Sequence, residues 1–143
     1  MNSPIIARIK QGVTYLFGKY DNSWDLDIVA VLSHEEFELF CSMGRYDKIH
    51  SYQIFKRVKN SKILGKNPLY YKLALLHDCG KEEISLLRRV KKVLIGDKKV
   101  ENHAILGFEK LKNINIELAS LIRQHHDKTD DIFMSEFQIL DSE

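Results

Sequence analysis

The stretch that most constrains this chain is Leu73-Ala-Leu-Leu-His-Asp-Cys-Gly-Lys81, where an apolar run ends in two adjacent metal-liganding residue types and a glycine. Ala74, Leu75 and Leu76 belong in a core, and a carboxylate carried in behind them is costly to bury unless a cation compensates its charge. A divalent ion would do so. Consecutive side chains on a helix diverge by about 100°, so His77 and Asp78 can share one ion or serve two neighbouring ions, yet cannot complete a site alone. Gly80 permits a left-handed helix end, and Lys81 sets a positive charge just beyond the carboxylate. The rest of the sequence therefore has to supply partners.

At 143 residues the chain suits one domain that can bury a core without staples. Lys and Arg number 22 against 20 Asp and Glu, a net charge of +2, which gives no global field for a nucleic-acid polymer or a membrane surface. No apolar run approaches the roughly 20 residues of a membrane helix. Cys41 and Cys79 fall in helical patterns and no signal-like leader precedes them, so the expectation is a soluble, cytoplasmic protein with reduced thiols. Only Pro4 and Pro68 interrupt a sequence rich in Leu, Ile, Lys and Glu, without repeats or low-complexity tracts. That composition points to an all-α, single-domain helical bundle.

In chain order, Ser3-Pro4 reads as a helix start, followed by Ile5, Ile6, Ile9, Val13, Leu16 and Phe17 at helical spacing and by Gly18 as a stop. Ser33 and Glu36 form a capping-box pattern before a helix expected to bury Phe37, Phe40 and Cys41, with His34 on its solvated surface. From Asp47 to about Asn60, His50, Ile54 and Val58 recur four apart, which places this histidine on the core-facing stripe. Pro68 opens the helix that delivers Leu73 through Asp78. Glu83 to Ile95 is amphipathic with a solvated basic face, and Gly96-Asp97 breaks it. A helix from about Val100 to Leu111 carries His103, with Gly107 four residues later to admit a close neighbour. Leu118, Leu121 and Ile122 form a stripe that His125 continues, with His126 at its edge. Two consecutive histidines at the polar end of an apolar helix suit metal better than packing, although the cluster of Asp127, Asp130 and Asp131 that follows can equally mark an exposed turn. Met134, Phe137 and Asp141 share a face, so Asp141 is expected to point inward.

His50, His77, Asp78, His103, His125 and Asp141 thus all fall on inward faces of successive helices. Imidazole and carboxylate donors without thiolate suit Fe, Mn, Zn, Co or Mg, and helix bundles build such centres from facing helices. Cys79 is assigned to packing. This pattern resembles the HD-domain metal-dependent phosphohydrolase superfamily, whose signature of a helix-borne His, a His-Asp pair and a distant Asp is matched by His50, His77-Asp78 and Asp141. His103 with Gly107, then His125-His126, is similar to its binuclear branch, which includes cyclic-dinucleotide phosphodiesterases and a diadenosine-tetraphosphate hydrolase group. The Gly-Tyr-Pro motif of the cyclic-di-GMP branch is replaced by Asp127-Lys-Thr-Asp-Asp131, which argues against that substrate.

The resemblance implies divalent metal ions as cofactor, two in number, Fe or Mn foremost with Zn, Co, Ni or Mg as alternatives. Asp78 bridges them, His50, His77 and Asp141 complete one site, and His103 with His125, His126 or both completes the other. Lys81 is the candidate phosphate-charge stabiliser, either in catalysis or as a helix-end cation, and Arg45 and Lys48 are further substrate-binding candidates beside the first ligand helix. Residues 47–143 would form the metal-binding core and residues 1–46 a helical extension packed on it. The expected activity is hydrolysis of a phosphoester or phosphoanhydride in a nucleotide or small molecule, with the pocket beyond Asp141 either open or walled by a neighbouring subunit. The competing readings are a non-catalytic metal-bearing sensor and a di-iron oxygenase on the same scaffold.

Overall fold

A computed structural model describes residues 19–81 and 103–142, together with Ile5, Ile6 and Ile9. Among the described residues the secondary structure is entirely helical: α1 Trp24–Val29, α2 His34–Ser42, α3 Arg45–Asn60, α4 Pro68–Leu76, α5 His103–Leu111, α6 Ile116–Gln124 and α7 Ile132–Ser142. The all-α expectation holds. Ile5, Ile6 and Ile9 are helical and exposed, while the remainder of the helix expected from Ser3 to Gly18 and the amphipathic helix expected from Glu83 to Ile95 lie outside the described residues.

Local chemistry starts several of these helices where the sequence signals them. Ser33 closes a capping box on α2, its hydroxyl accepting from the Glu36 N–H at 3.2 Å while Glu36 Oε1 accepts from the Ser33 N–H at 2.7 Å. Asn67 caps α4 ahead of Pro68 in its first turn, and Asn115 caps α6 by accepting from the Leu118 N–H at 3.1 Å.

Helix α4 is the centre of the fold. It packs against α2, α3 and α6, which is why Leu73, Ala74, Leu75 and Leu76 are all fully buried and its sequence lacks the polar face of an ordinary surface helix. Around it Ile54, Phe55 and Val58 of α3, Leu118 and Ile122 of α6, and Met134 and Phe137 of α7 complete one continuous core. Cys41 corrects an expectation: it is exposed, because α2 turns Phe40 inward and its neighbour outward. Cys79 is buried as packing predicts, and burial pushes its thiol up to about 12.

Two polar contacts bind the first helices to this core. Trp24 of α1 stacks on Tyr52 of α3 with ring centroids 4.3 Å apart, and the Tyr52 hydroxyl donates to Asp27 at 2.9 Å. Glu36, only 2% exposed, receives Lys72 Nζ of α4 at 2.9 Å and Asn115 Nδ2 at 3.1 Å besides the Ser33 N–H. Burial alone would raise its pKa, but those donors outweigh it and hold the carboxyl below its usual value. Glu36→Ala should therefore cost about 3 kcal/mol in urea unfolding, since it orphans Lys72, Asn115 and the cap at once. Glu36→Gln, which keeps an acceptor for the Ser33 N–H, should cost less. Equal losses in the two variants would show that charge alone matters.

Candidate metal centre

The apolar helix α4 ends at Leu76, so His77 and Asp78 do not ride on it as the sequence suggests; they sit in the turn that follows, held by Cys79 N–H to Leu76 O at 2.9 Å and Lys81 N–H to Asp78 O at 3.0 Å. Gly80 is not left-handed there. Its role is close approach: a Cβ on Gly80 would lie 2.0 Å from His103 O and 2.5 Å from Gly107 N. Gly107 is equally confined, a Cβ there coming within 2.7 Å of Ile122 Cγ2. The turn is thus pressed onto the first turn of α5, with Lys110 Nζ donating to Cys79 O at 2.9 Å. That contact brings Asp78 against His103, as neither helix spacing alone could.

The result is two groups of donors able to hold a metal ion, one of His50, His77 and Asp141 and the other of His103, His125 and His126. In the first, Asp141 Oδ1 lies 3.3 Å from His50 Nε2 and 3.2 Å from His77 Nε2. In the second, His103 Nε2 lies 3.2 Å from the Nε2 atoms of both His125 and His126. Asp78 stands between them. Its Oδ2 is 3.3 Å from His77 Nε2 and 3.9 Å from His50 Nε2, and its Oδ1 is 3.3 Å from His103 Nε2.

The hydrogen bonds on the far sides of the rings decide what these atoms can be. His77 Nδ1 lies 2.9 Å from Ala74 O and His125 Nδ1 is bonded to Ile122 O; a carbonyl only accepts, so each Nδ1 carries the proton and each neutral ring turns a bare Nε2 inward. Among the described residues His77 Nε2 is buried without a hydrogen-bond partner, although two carboxylate oxygens lie 3.2 and 3.3 Å away. Lone pairs converging on one point need a cation, whether a proton or a metal. Without metal the proton serves: burial opposes it, but Asp78 and Asp141 hold the His77 pKa well above its ordinary value. Reciprocally, burial opposes the ionised forms of Asp78 and Asp141, yet His77 and, for Asp78, Lys81 hold both well below the carboxylate range. Burial and the neighbouring His77 and His126 push His125 down to about 3. A neutral, tautomer-fixed imidazole is the form that ligates a metal. The donor set therefore fits a divalent first-row ion.

A cavity of about 390 Å³ opens over these groups, lined by His50, Asp78, His125, His126 and Asp141 and by Lys81, whose Nζ pairs with Asp78 Oδ2 at 3.3 Å. Asp78 and Asp47 hold the ammonium in its charged form against burial. Arg45 and Lys48 are not among the lining residues: Arg45 is exposed in the first turn of α3, and Lys48 Nζ lies 5.0 Å above the Tyr20 ring. His34 is exposed beside Glu38 at 3.0 Å. Asp127, Asp130 and Asp131 form the exposed turn, with Asp131 capping α7 by accepting from the Met134 N–H at 2.8 Å. Gln138 and Ser142 also line the cavity. Sequence reasoning passed over both, though helical spacing from Asp141 puts Gln138 three residues back on a shared face.

The HD domain family model matches residues 47–137, well over half of the 143-residue chain, and the chain belongs to that family. The matched span includes His50, His77-Asp78, His103 and His125-His126, with Asp141 just beyond it. No curated protein and no solved structure matches.

The shifted histidines fix a pH signature for metal-free protein. His77 is raised above 6.5, so its contribution is complete below that pH and is lost as pH rises through the folded-state value. His125 is lowered to about 3, so its contribution is complete above 6.5 and is lost as pH falls; the depressed Asp78 and Asp141 add to the acid loss below 3.8. Thermal unfolding of chelated protein should show a stability maximum near pH 6.5, and His77→Gln should remove the alkaline decline. A monotonic profile would contradict this electrostatic account.

Proposed function

We propose that this HD domain protein is a metal-dependent phosphohydrolase with a two-ion centre, acting on a phosphoester or phosphoanhydride of a nucleotide or another small molecule. Its family consists mostly of metal-dependent hydrolases. The observation that carries the finer reading is the position of Asp78, whose two oxygens face two separate imidazole groups beside the Lys81 ammonium on one cavity. Residues 47–143 are taken as the catalytic unit and residues 1–46 as an extension, in keeping with the matched span and with the Trp24 and Glu36 contacts that tie the two together.

Bound divalent ions supply Lewis acidity toward a phosphoryl oxygen and lower the pKa of a water at neutral pH. His50, His77 and Asp141 would hold one ion, and His103, His125 and His126 the other, with Asp78 giving one oxygen to each. The backbone carbonyls of Ala74 and Ile122 keep His77 and His125 in the ligating tautomer. Lys81 is half-buried, charged and directed at the cavity through Asp78, so it can donate to a phosphoryl oxygen as negative charge builds there. A phosphoryl group, which spreads developing charge over several oxygens, uses that arrangement better than an amide does.

Protein reconstituted with Mn(II) or Fe(II) should hydrolyse an artificial phosphoester, a nucleotide or a dinucleoside polyphosphate, and chelator should abolish turnover. Lys81→Ala should lower kcat about 100-fold, the scale for losing one charge-stabilising donor, while retaining its metal. Activity should also fall as pH drops through the raised pKa of His77, where a proton competes with an ion for its Nε2. Fully metallated protein inert toward monoesters, diesters, nucleotides and dinucleoside polyphosphates would sink the hydrolase reading and leave a metal-bearing binding module.

A further inference from the structure

His126 differs from the other histidines of the two groups in what holds it. His77, His103 and His125 are buried and His50 is half-buried on the long helix α3, but His126 is exposed and lies beyond the end of α6. Core packing therefore does little to fix it. The Asp127 N–H returns to Gln124 O at 2.9 Å, which ties the turn only to its own helix. The segment 128–131 that follows has no regular structure. Besides the ring contacts of its histidines, including His126 Nε2 at 3.2 Å from His103 Nε2, a backbone bond joins this turn to α7: Gln138 Nε2 donates to Asp127 O at 2.7 Å.

That bond is not helix capping, since Asp127 lies past the carbonyls that α6 leaves unpaired. Gln138 is also three residues before Asp141 on α7, so both face the cavity they help to line. A single helix thus gives a carboxylate to the first donor group and grips the backbone next to the exposed ligand of the second. We infer that Gln138 is a positioning residue that holds the His126 turn against α7, keeping His126 Nε2 beside His103 Nε2 and thereby setting the affinity of the second metal site. The inference rests on reading the two donor groups as metal sites. Gln138 need not touch either ion; it removes the freedom of an exposed turn that a bound ion would otherwise have to restrain.

The test uses the full chain with Gln138→Met, close in length but without a donor, and Gln138→Ala as a second variant. In chelated protein, hydrogen exchange at the Asp127 amide should accelerate in both, while global unfolding barely changes. In Mn(II) titration one of the two binding constants should weaken about 10-fold, the lower end for a lost outer partner, and the other should stay at the wild-type value. Placed on His103→Ala, which disables the second group, Gln138→Met should leave binding of the remaining ion unchanged. Wild-type constants in the single variants, or parallel weakening of both, would overturn the tether while leaving the two-ion reading intact. A wild type that takes fewer than two ions would overturn the two-ion reading and the tether with it.

Discussion

A carboxylate at 3% exposure, Asp78, is the constraint on which the rest of this molecule depends. Carrying a charge to that depth costs several kcal/mol even after relaxation, and the surrounding structure is arranged to offset it. His77, His50 and Lys81 meet one oxygen, and His103 meets the other. Those groups come from α3, the turn after α4, and α5, so the fold must bring distant segments within a few ångströms. Gly80 makes this possible by letting the turn touch the backbone of α5, and Gly107 lets α5 approach Ile122 of α6.

Burial grades the ligands by role. His77 and His125 are enclosed, each fixed by a carbonyl on its own helix, and they form the rigid floor of the two groups. His50 and Asp141 are partly accessible, and His126 stands at the rim. The floor thus imposes tautomer and direction, while the rim leaves the cavity open to a ligand and to the ammonium of Lys81. Electrostatics follow the same order, because Asp78 and Asp141 favour a proton on His77 against burial, whereas burial and the neighbouring histidines keep His125 neutral.

Much of this was legible in the sequence. Helical spacing turned His50, His103, His125 and Asp141 toward the centre, and the Ser33 capping box and the Pro68 start read directly. What spacing could not give was anything set by tertiary contact. The sequence suggests a left-handed Gly80, but the reason for that glycine is His103 O, some twenty residues away in the chain. Cys41 looked apolar enough to bury, yet it lies outside because Phe40 takes the inward position. Lys48 was a plausible phosphate contact by its proximity to His50 and instead lies over Tyr20. Gln138 was missed because a neutral amide carries no charge signature; only the fold reveals that it reaches Asp127 O.

The central claim, that one carboxylate is shared between two metal sites, is tested most directly by elemental analysis of protein purified without chelator, wild type beside Asp78→Ala. The account predicts two equivalents of divalent transition metal per wild-type chain. It predicts loss of both in Asp78→Ala, with the helical circular dichroism retained, since the apolar stripes that build the core do not involve Asp78. Retention of two equivalents by the variant, or a single equivalent in the wild type, would contradict the shared-carboxylate centre.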